Sequence, residues 1–374
     1  MTKKPRTRPT PERSLQLDDA AGLRSILDAV QAITQRVFFR VAKVGGSYML
    51  LFDGADVGMT CCVSARLHID NVVIHSTDAV ADEEHVALAA DERRRQLAAL
   101  EPIVGRYINI ESLGRKYRIF YEESGEGIPL ICLHTAGTDS RQFRHVLNDP
   151  EITSKCRVIA FDMPLHGRSN PPDNWWLEKY ELTTKVYTNL IHDFWLALGV
   201  ENPIVMGCSM GGAVTLQVAA DYQEEITGII GLESTAFAEG RDNNFLHHPA
   251  IHGGELAACY TYGLNAPSSP EAGCRENWWY YSQGGPGVYK GDVYYYCVDW
   301  DAREAIKTID TNRCKVSLLT GEYDYSATPE MTKAAADVIT GCRFTVMEDI
   351  GHFPMIEHYE RFRPYLLTEL EQML

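Results

Sequence analysis

From about residue 130 onward, short apolar runs alternate with longer stretches in which apolar side chains recur at three and four. The runs Leu130–Leu133, Val158–Phe161, Pro203–Met206, Ile226–Leu232, Val316–Leu319 and Phe344–Met347 have the length and β-rich content of buried strands. Helical spacing falls between them, near Arg141–Leu147, Leu182–Leu198, Met210–Tyr222, Pro329–Ile339 and Met355–Met373. Strand–helix alternation of this kind predicts an α/β fold, a doubly wound and mostly parallel sheet. Before it, Tyr107–Glu111 and Tyr117–Glu122, with Gly114 between them, predict an antiparallel pair at the sheet edge. The rhythm breaks between about Ser234 and Arg313, where Gly, Pro, Asn and aromatic residues accumulate.

The first hundred residues follow a different plan. Asp18 and Asp19 precede a helical face of Leu23, Ile26, Leu27, Val30 and Ile33. Val37–Val44 and Tyr48–Phe52, joined through Gly45, Gly46 and Ser47, predict a hairpin. Thr60–Ile74 is strand-like and Ala79–Leu100 helical. The division expected is an α+β extension over 1–100 with a disordered basic tail at 1–13, a core of 101–235 and 306–374, and an inserted cap over 236–305.

Composition changes little in this picture. The chain has 374 residues, 45% hydrophobic and 23% charged, enough for one large domain and a smaller one. A net charge of −16 argues against nucleic acid or an anionic membrane as partner. No apolar run is as long as a membrane helix, and the start lacks the apolar segment of a secretory signal. The ten cysteines show no dense spacing; Cys61 and Cys62 are adjacent, while Cys132 and Cys342 sit in or beside apolar runs. A reducing cytoplasm is the compartment expected. The apolar faces of residues 1–100 must pack on something, either the core or a second copy of the chain in a homo-oligomer.

Chemistry concentrates at three points past strand ends. In Gly207-Cys208-Ser209-Met210-Gly211-Gly212 a serine stands at the apex of a strand–turn–helix, flanked by glycines that a sharp turn requires. A serine that merely caps a helix is the bland alternative. Asp324 follows the run at 315–320, and His352 follows the run at 344–347. With these residues in place, LICLHTAG (130–137), FDMPLHGRS (161–169), GCSMGG (207–212), LLTGEYD (318–324) and GHFPMIEHYERF (351–362) resemble the α/β-hydrolase superfamily from about Ile108 to Leu374.

The resemblance implies Ser209 as nucleophile, His352 as general base and Asp324 as the acid that orients it, with Glu233 after the sixth strand as the alternative acid. It implies an oxyanion hole from the N–H groups of Ala136 and Met210, although Thr135 stands where relatives have glycine. Asp162, His166, Gly167 and Ser169 are expected to shape the site, and Glu322 to turn away from it. His358 is expected as a solvated residue inside the last helix. Neither a metal nor another cofactor is expected. His247, His248 and His252 have metal-like spacing, but Pro249 breaks their alignment, and Gly284–Gly287 lacks the setting of a phosphate loop.

The function expected is hydrolysis of a carboxylic ester or lactone of a bulky apolar or aromatic small molecule through an acyl-enzyme. A carbon–carbon bond hydrolase and a receptor-like binding protein with little turnover are the alternatives. Trp278, Trp279 and Trp300 are expected to line the substrate pocket from the cap, with Arg275 and Arg303 near the ends of that stretch.

Overall fold

The computed structural model describes residues 38–44, 47–53, 100–238 and 253–374. The expected tail at 1–13, the helices near 20–33 and 79–99, the strand-like stretch 60–74, the Cys61–Cys62 pair and the histidines at 247, 248 and 252 lie outside the described residues. The chain divides into two compact units, residues 1–100 and 101–374. In the first, β1 (Phe38–Val44) pairs antiparallel with β2 (Ser47–Asp53). Val44 pairs with Ser47, so Ser47 belongs to the second strand.

The second unit is built on an eight-stranded sheet. Its strands are β3 (Val104–Ser112), β4 (Arg115–Ser124), β5 (Ile128–Leu133), β6 (Cys156–Phe161), β7 (Ile204–Cys208), β8 (Gly228–Leu232), β9 (Lys315–Gly321) and β10 (Arg343–Met347). Their spatial order is β10-β9-β8-β7-β5-β6-β4-β3. β3 and β4 form the expected antiparallel edge, and β4 also runs antiparallel to β6; the remaining pairs are parallel. All residues of β7 and β8 are buried, as parallel strands covered on both faces must be. Strand order reverses around β5, which lies between β6 and β7. The register there pairs Leu133 with Gly207, so the chain leaves β5 and β7 side by side. Open α/β sheets place their crevice at such a switch point.

The helices are α1 (Arg144–Leu147), α2 (Pro150–Thr153), α3 (Thr184–Ala197), α4 (Met210–Tyr222), α5 (Gly253–Tyr262), α6 (Glu271–Tyr281), α7 (Val288–Tyr294), α8 (Pro329–Ala336), α9 (Pro354–Glu357) and α10 (Tyr359–Met373). The Thr183 hydroxyl caps α3 by accepting from Val186 N–H, and Tyr187, Leu190, Ile191 and Phe194 form its buried face. Among the described residues no helix is long and apolar enough to cross a membrane.

One reading of local structure is corrected. The C-terminal helix is not continuous: His358, at φ −151° and ψ 66°, separates α9 from α10 and stands outside both. The aromatic part of the insertion is helical. Trp278–Tyr281 closes α6, Tyr294 ends α7, and a π-helical turn covers Tyr295–Asp299.

Candidate active site

Ser209 sits between β7 and α4 with φ 57° and ψ −115°, a left-handed conformation rare outside glycine. Its N–H bonds the Leu232 carbonyl at 2.9 Å, and its carbonyl accepts from Ala213 N–H at 2.7 Å, which holds the strained turn. The surrounding glycines answer a steric demand. A Cβ on Gly207 would lie 2.2 Å from the Gly211 oxygen, one on Gly211 2.3 Å from the Leu133 oxygen, and one on Gly212 2.1 Å from the Leu232 oxygen. Only three residues without side chains let the helix start this close to β5 and β8.

The Ser209 hydroxyl lies 2.8 Å from His352 Nε2, and His352 Nδ1 lies 2.7 Å from Asp324 Oδ2. All three come from different strand ends, those of β7, β10 and β9. Burial acts to raise the Asp324 pKa, but the adjacent His352 and several hydrogen bonds hold it below the usual carboxylate range. The ionised carboxylate therefore accepts, Nδ1 donates, and Nε2 is left to accept from Ser209. Asp324 Oδ1 takes N–H groups from Ser326 and Ala327 at 2.7 and 3.1 Å, which fixes the carboxylate plane.

The histidine loop is fastened on three sides. His352 N–H donates to Leu264 O at 3.0 Å, the Cys208 thiol to His352 O at 3.2 Å, and Gly351 N–H to Glu357 Oε1. A Cβ on Gly351 would lie 2.5 Å from both Ala266 N and Leu264 O, so the segment after α5 presses directly on this loop. Burial raises the Glu357 carboxyl to about 7, against the pull of the Gly351 N–H and other donors.

Glu233 also reaches this cluster, from the end of β8. Its carboxyl accepts from Gly321 N–H at 3.0 Å and Thr320 Oγ1 at 2.8 Å. Burial, then the Asp324 charge, push its pKa well above the usual range. His352 thus meets Asp324 and not Glu233. Glu322 is exposed and accepts the Asp349 N–H instead.

After β5 the chain turns through His134, Thr135, Ala136 and Gly137. The Thr135 carbonyl accepts from His134 Nδ1 at 2.8 Å, while His134 Nε2 accepts from Met163 N–H at 3.1 Å. The ring must then be neutral with its proton on Nδ1. Burial, then the neighbouring His166, lower its pKa to about 4 and keep it so. In a trans peptide the carbonyl and the next N–H point oppositely, so this bond aims the Ala136 N–H away from His134. Among the described residues neither the Ala136 nor the Met210 N–H meets a backbone acceptor, and Met210 opens α4, where the helix supplies none.

Thr135, the departure from glycine, is bound in place. Its N–H and Oγ1 each lie 3.1 Å from Gln142 Oε1, and Oγ1 also meets the Tyr281 hydroxyl. The loop after β6 is likewise ordered by its own residues. Asp162 accepts from Ser140 N–H and Arg168 N–H at 2.9 and 2.7 Å, and a Cβ on Gly167 would lie 2.2 Å from Asp162 Oδ2. Ser169 Oγ donates to Asp162 O at 2.6 Å.

The three tryptophans differ in burial. Trp300 is 3% exposed and stacks on Tyr295 at 5.5 Å, which meets Tyr187 of α3 edge-on; it is core. Trp278 and Trp279 are successive residues of a helix and point about 100° apart. Trp279 is 57% exposed and lines a surface cleft of about 760 Å³ with Arg141, Arg144, Arg275 and Glu276. Trp278 is half-buried against the core cluster that includes Phe353. Arg275 and Arg303 pair on the surface with Glu271 and Asp301. The aromatics that approach the site are Tyr281, edge-on to Phe353 at 5.6 Å, and Tyr289, against Gly137. Among the described residues no cluster of three or more His, Cys, Asp or Glu side chains is arranged to hold a metal.

Asp292 was not singled out by sequence. Fully buried in α7, it accepts from His166 Nε2, Gly137 N–H and Tyr180 OH, each at 2.7 Å. Burial opposes charge on His166, but the Asp292 carboxylate outweighs it and raises the imidazole pKa.

A family model described as "alpha/beta hydrolase fold" matches residues 128–359. An uncharacterised protein of Mycobacterium tuberculosis is 24% identical over 139 residues; the match spans 37% of this chain and 38% of that relative's length. A thermophilic esterase from Thermogutta terrifontis superposes with a TM-score of 0.63 at 19% identity, over 72% of this chain and 99% of the other. An enol-lactonase from Burkholderia xenovorans LB400 does so with a TM-score of 0.61 at 18% identity, over 71% of this chain and 100% of the other.

Proposed function

The chain belongs to the alpha/beta hydrolase fold family, and on that premise we propose that it is a serine hydrolase cleaving a carboxylic ester or lactone of a bulky apolar or aromatic small molecule. The observation that carries this reading is the hydrogen-bonded series Ser209–His352–Asp324 at the strained turn after β7. A serine hydroxyl becomes an effective nucleophile only when a base takes its proton, and His352 Nε2 is placed to do so. Attack of Ser209 Oγ on the acyl carbon gives a tetrahedral oxyanion facing the Ala136 and Met210 N–H groups. His352 then returns the proton to the leaving alkoxide, and the acyl-enzyme forms. A water molecule, deprotonated by the same imidazole, releases the acid and restores Ser209. Asp324 holds the tautomer and stabilises the imidazolium. This chemistry calls for neither metal nor cofactor. Buried rings beside the site, Tyr281 and Phe353 among them, favour an apolar substrate, and two structural neighbours bear the titles esterase and enol-lactonase.

The test is labelling by a fluorophosphonate together with turnover of p-nitrophenyl esters of graded acyl size. Labelling should map to Ser209, and Ser209→Ala and His352→Ala should each lose on the order of 10⁴- to 10⁶-fold in kcat. A loss of only a few-fold in either variant would remove these residues from the mechanism.

A further inference from the structure

The insertion after β8 does more than lie over the core: it holds the loop that carries the Ala136 N–H from both sides. On the N-terminal side the grip passes through Thr135. The Thr135 hydroxyl donates to Gln142 Oε1 and so accepts from the Tyr281 hydroxyl of α6. Gln142 is itself turned by Asn277 of α6, whose Oδ1 accepts its Nε2 at 2.8 Å. On the C-terminal side the grip is Asp292 of α7, which takes the Gly137 N–H at 2.7 Å. Its second oxygen is occupied by Tyr180 OH, and His166 shares the first, so the carboxylate has little freedom to move. Gly137, at φ +76°, lies against Tyr289, where a Cβ would sit 2.6 Å from the ring. The core fixes the peptide bearing the Ala136 N–H through His134 and Gln142, while α6 and α7 add a bond to each flanking residue, Tyr281 to Thr135 and Asp292 to Gly137.

We infer that Asp292 and Tyr281 are positioning residues for the oxyanion donor, so that the site is complete only when the insertion is seated on the Thr135–Gly137 loop. The inference rests on the serine hydrolase reading and adds to it a part of the machinery contributed by the insertion. Thr135 gains a purpose from it: a glycine there would offer no hydroxyl to Tyr281. Stabilisation of a developing oxyanion depends steeply on donor placement, and loss of one donor costs about 10²- to 10³-fold in kcat. A donor loosened rather than removed should cost less.

The test compares full-length wild type, Asp292→Asn and Tyr281→Phe on one p-nitrophenyl ester and with an aryl trifluoromethyl ketone, whose hemiketal places an oxyanion where the tetrahedral intermediate would. Each variant is expected to lose about 10- to 100-fold in kcat and a similar factor in affinity for the ketone, with KM within about threefold of wild type. A folded variant with unchanged kcat and unchanged ketone affinity overturns the inference. So does a loss of kcat that follows thermal stability while ketone affinity stays constant, since that marks packing alone. Tyr281→Phe deletes a single hydroxyl and keeps the test decisive if Asp292→Asn does not fold. A wild-type protein that neither turns over esters nor binds the ketone overturns the hydrolase reading itself, and this inference with it.

Discussion

Glu233 and Asp324 are two buried acids at the ends of the adjacent strands β8 and β9, and each bears on the other's charge, but only Asp324 meets His352. Like charges sharing a buried site disfavour each other. Here His352 holds the Asp324 carboxyl low, while burial and the Asp324 charge push that of Glu233 up, so the two acids are set apart by their surroundings.

Substitution should separate the two. Asp324→Asn is expected to lower kcat on the order of 10⁴-fold, because the amide no longer selects the Nδ1–H tautomer. Glu233→Gln alters a carboxyl that His352 does not meet and should stay within about tenfold of wild type. Steady-state turnover of a p-nitrophenyl ester distinguishes them, and the opposite order would move the acid to Glu233.

Glu357 predicts a pH signature in stability. Its carboxyl is raised to about 7 in the folded protein, against about 4.3 in an unfolded chain. The folded state then binds more protons between those values, so this contribution is complete below about pH 4 and is lost as pH rises through 7. Glu357→Gln cannot titrate. Relative to wild type it should gain on the order of 2–3 kcal/mol between pH 5 and pH 8, read from urea unfolding at the two pH values. A difference that does not change with pH would count against a raised carboxyl.

Gly211→Ala should disable the elbow by geometry alone. The added carbon would lie 2.3 Å from the Leu133 oxygen, a backbone atom with nowhere to go. A stability loss of about 3 kcal/mol and loss of fluorophosphonate labelling are expected together. Labelling at the wild-type rate would show that the turn accepts a side chain.

The tryptophans should divide by burial. Trp300→Ala is expected to cost about 3–5 kcal/mol, visible as a lower urea midpoint. Trp279→Ala, on the surface, should change stability by no more than about 0.5 kcal/mol and leave the preference across an acyl-length series unaltered. A shift of that preference in Trp279→Ala would bring the surface cleft into substrate selection.

The core and the three candidate residues past β7, β9 and β10 were legible because each rests on a local rule. Buried parallel strands read as apolar runs, and a serine between glycines announces a turn that sequence spacing alone can specify. The insertion obeys no such rule. Its helices are short, and the run Trp278 to Tyr281 is aromatic around the whole circumference, so no period separates inside from outside. Trp279 and Trp300 could not be told apart by type, only by the helix and the turn that carry them. Asp292 is one acid among many, and its burial follows from Tyr180 and His166, which lie 112 and 126 residues away in sequence. His358 was misread because α9 and α10 share one apolar rhythm across the break.

The bond from His352 N–H to the Leu264 carbonyl makes the region after β8 a poor candidate for exchange between homologous scaffolds. A chimera that grafts another protein's segment onto this sheet inherits the Ser209 turn intact but must also supply a carbonyl where Leu264 stands and an acid where Asp292 stands. Grafts chosen for pocket shape alone would yield folded, inert proteins, and recombination boundaries are better drawn to keep residues 264–292 with the histidine loop they hold.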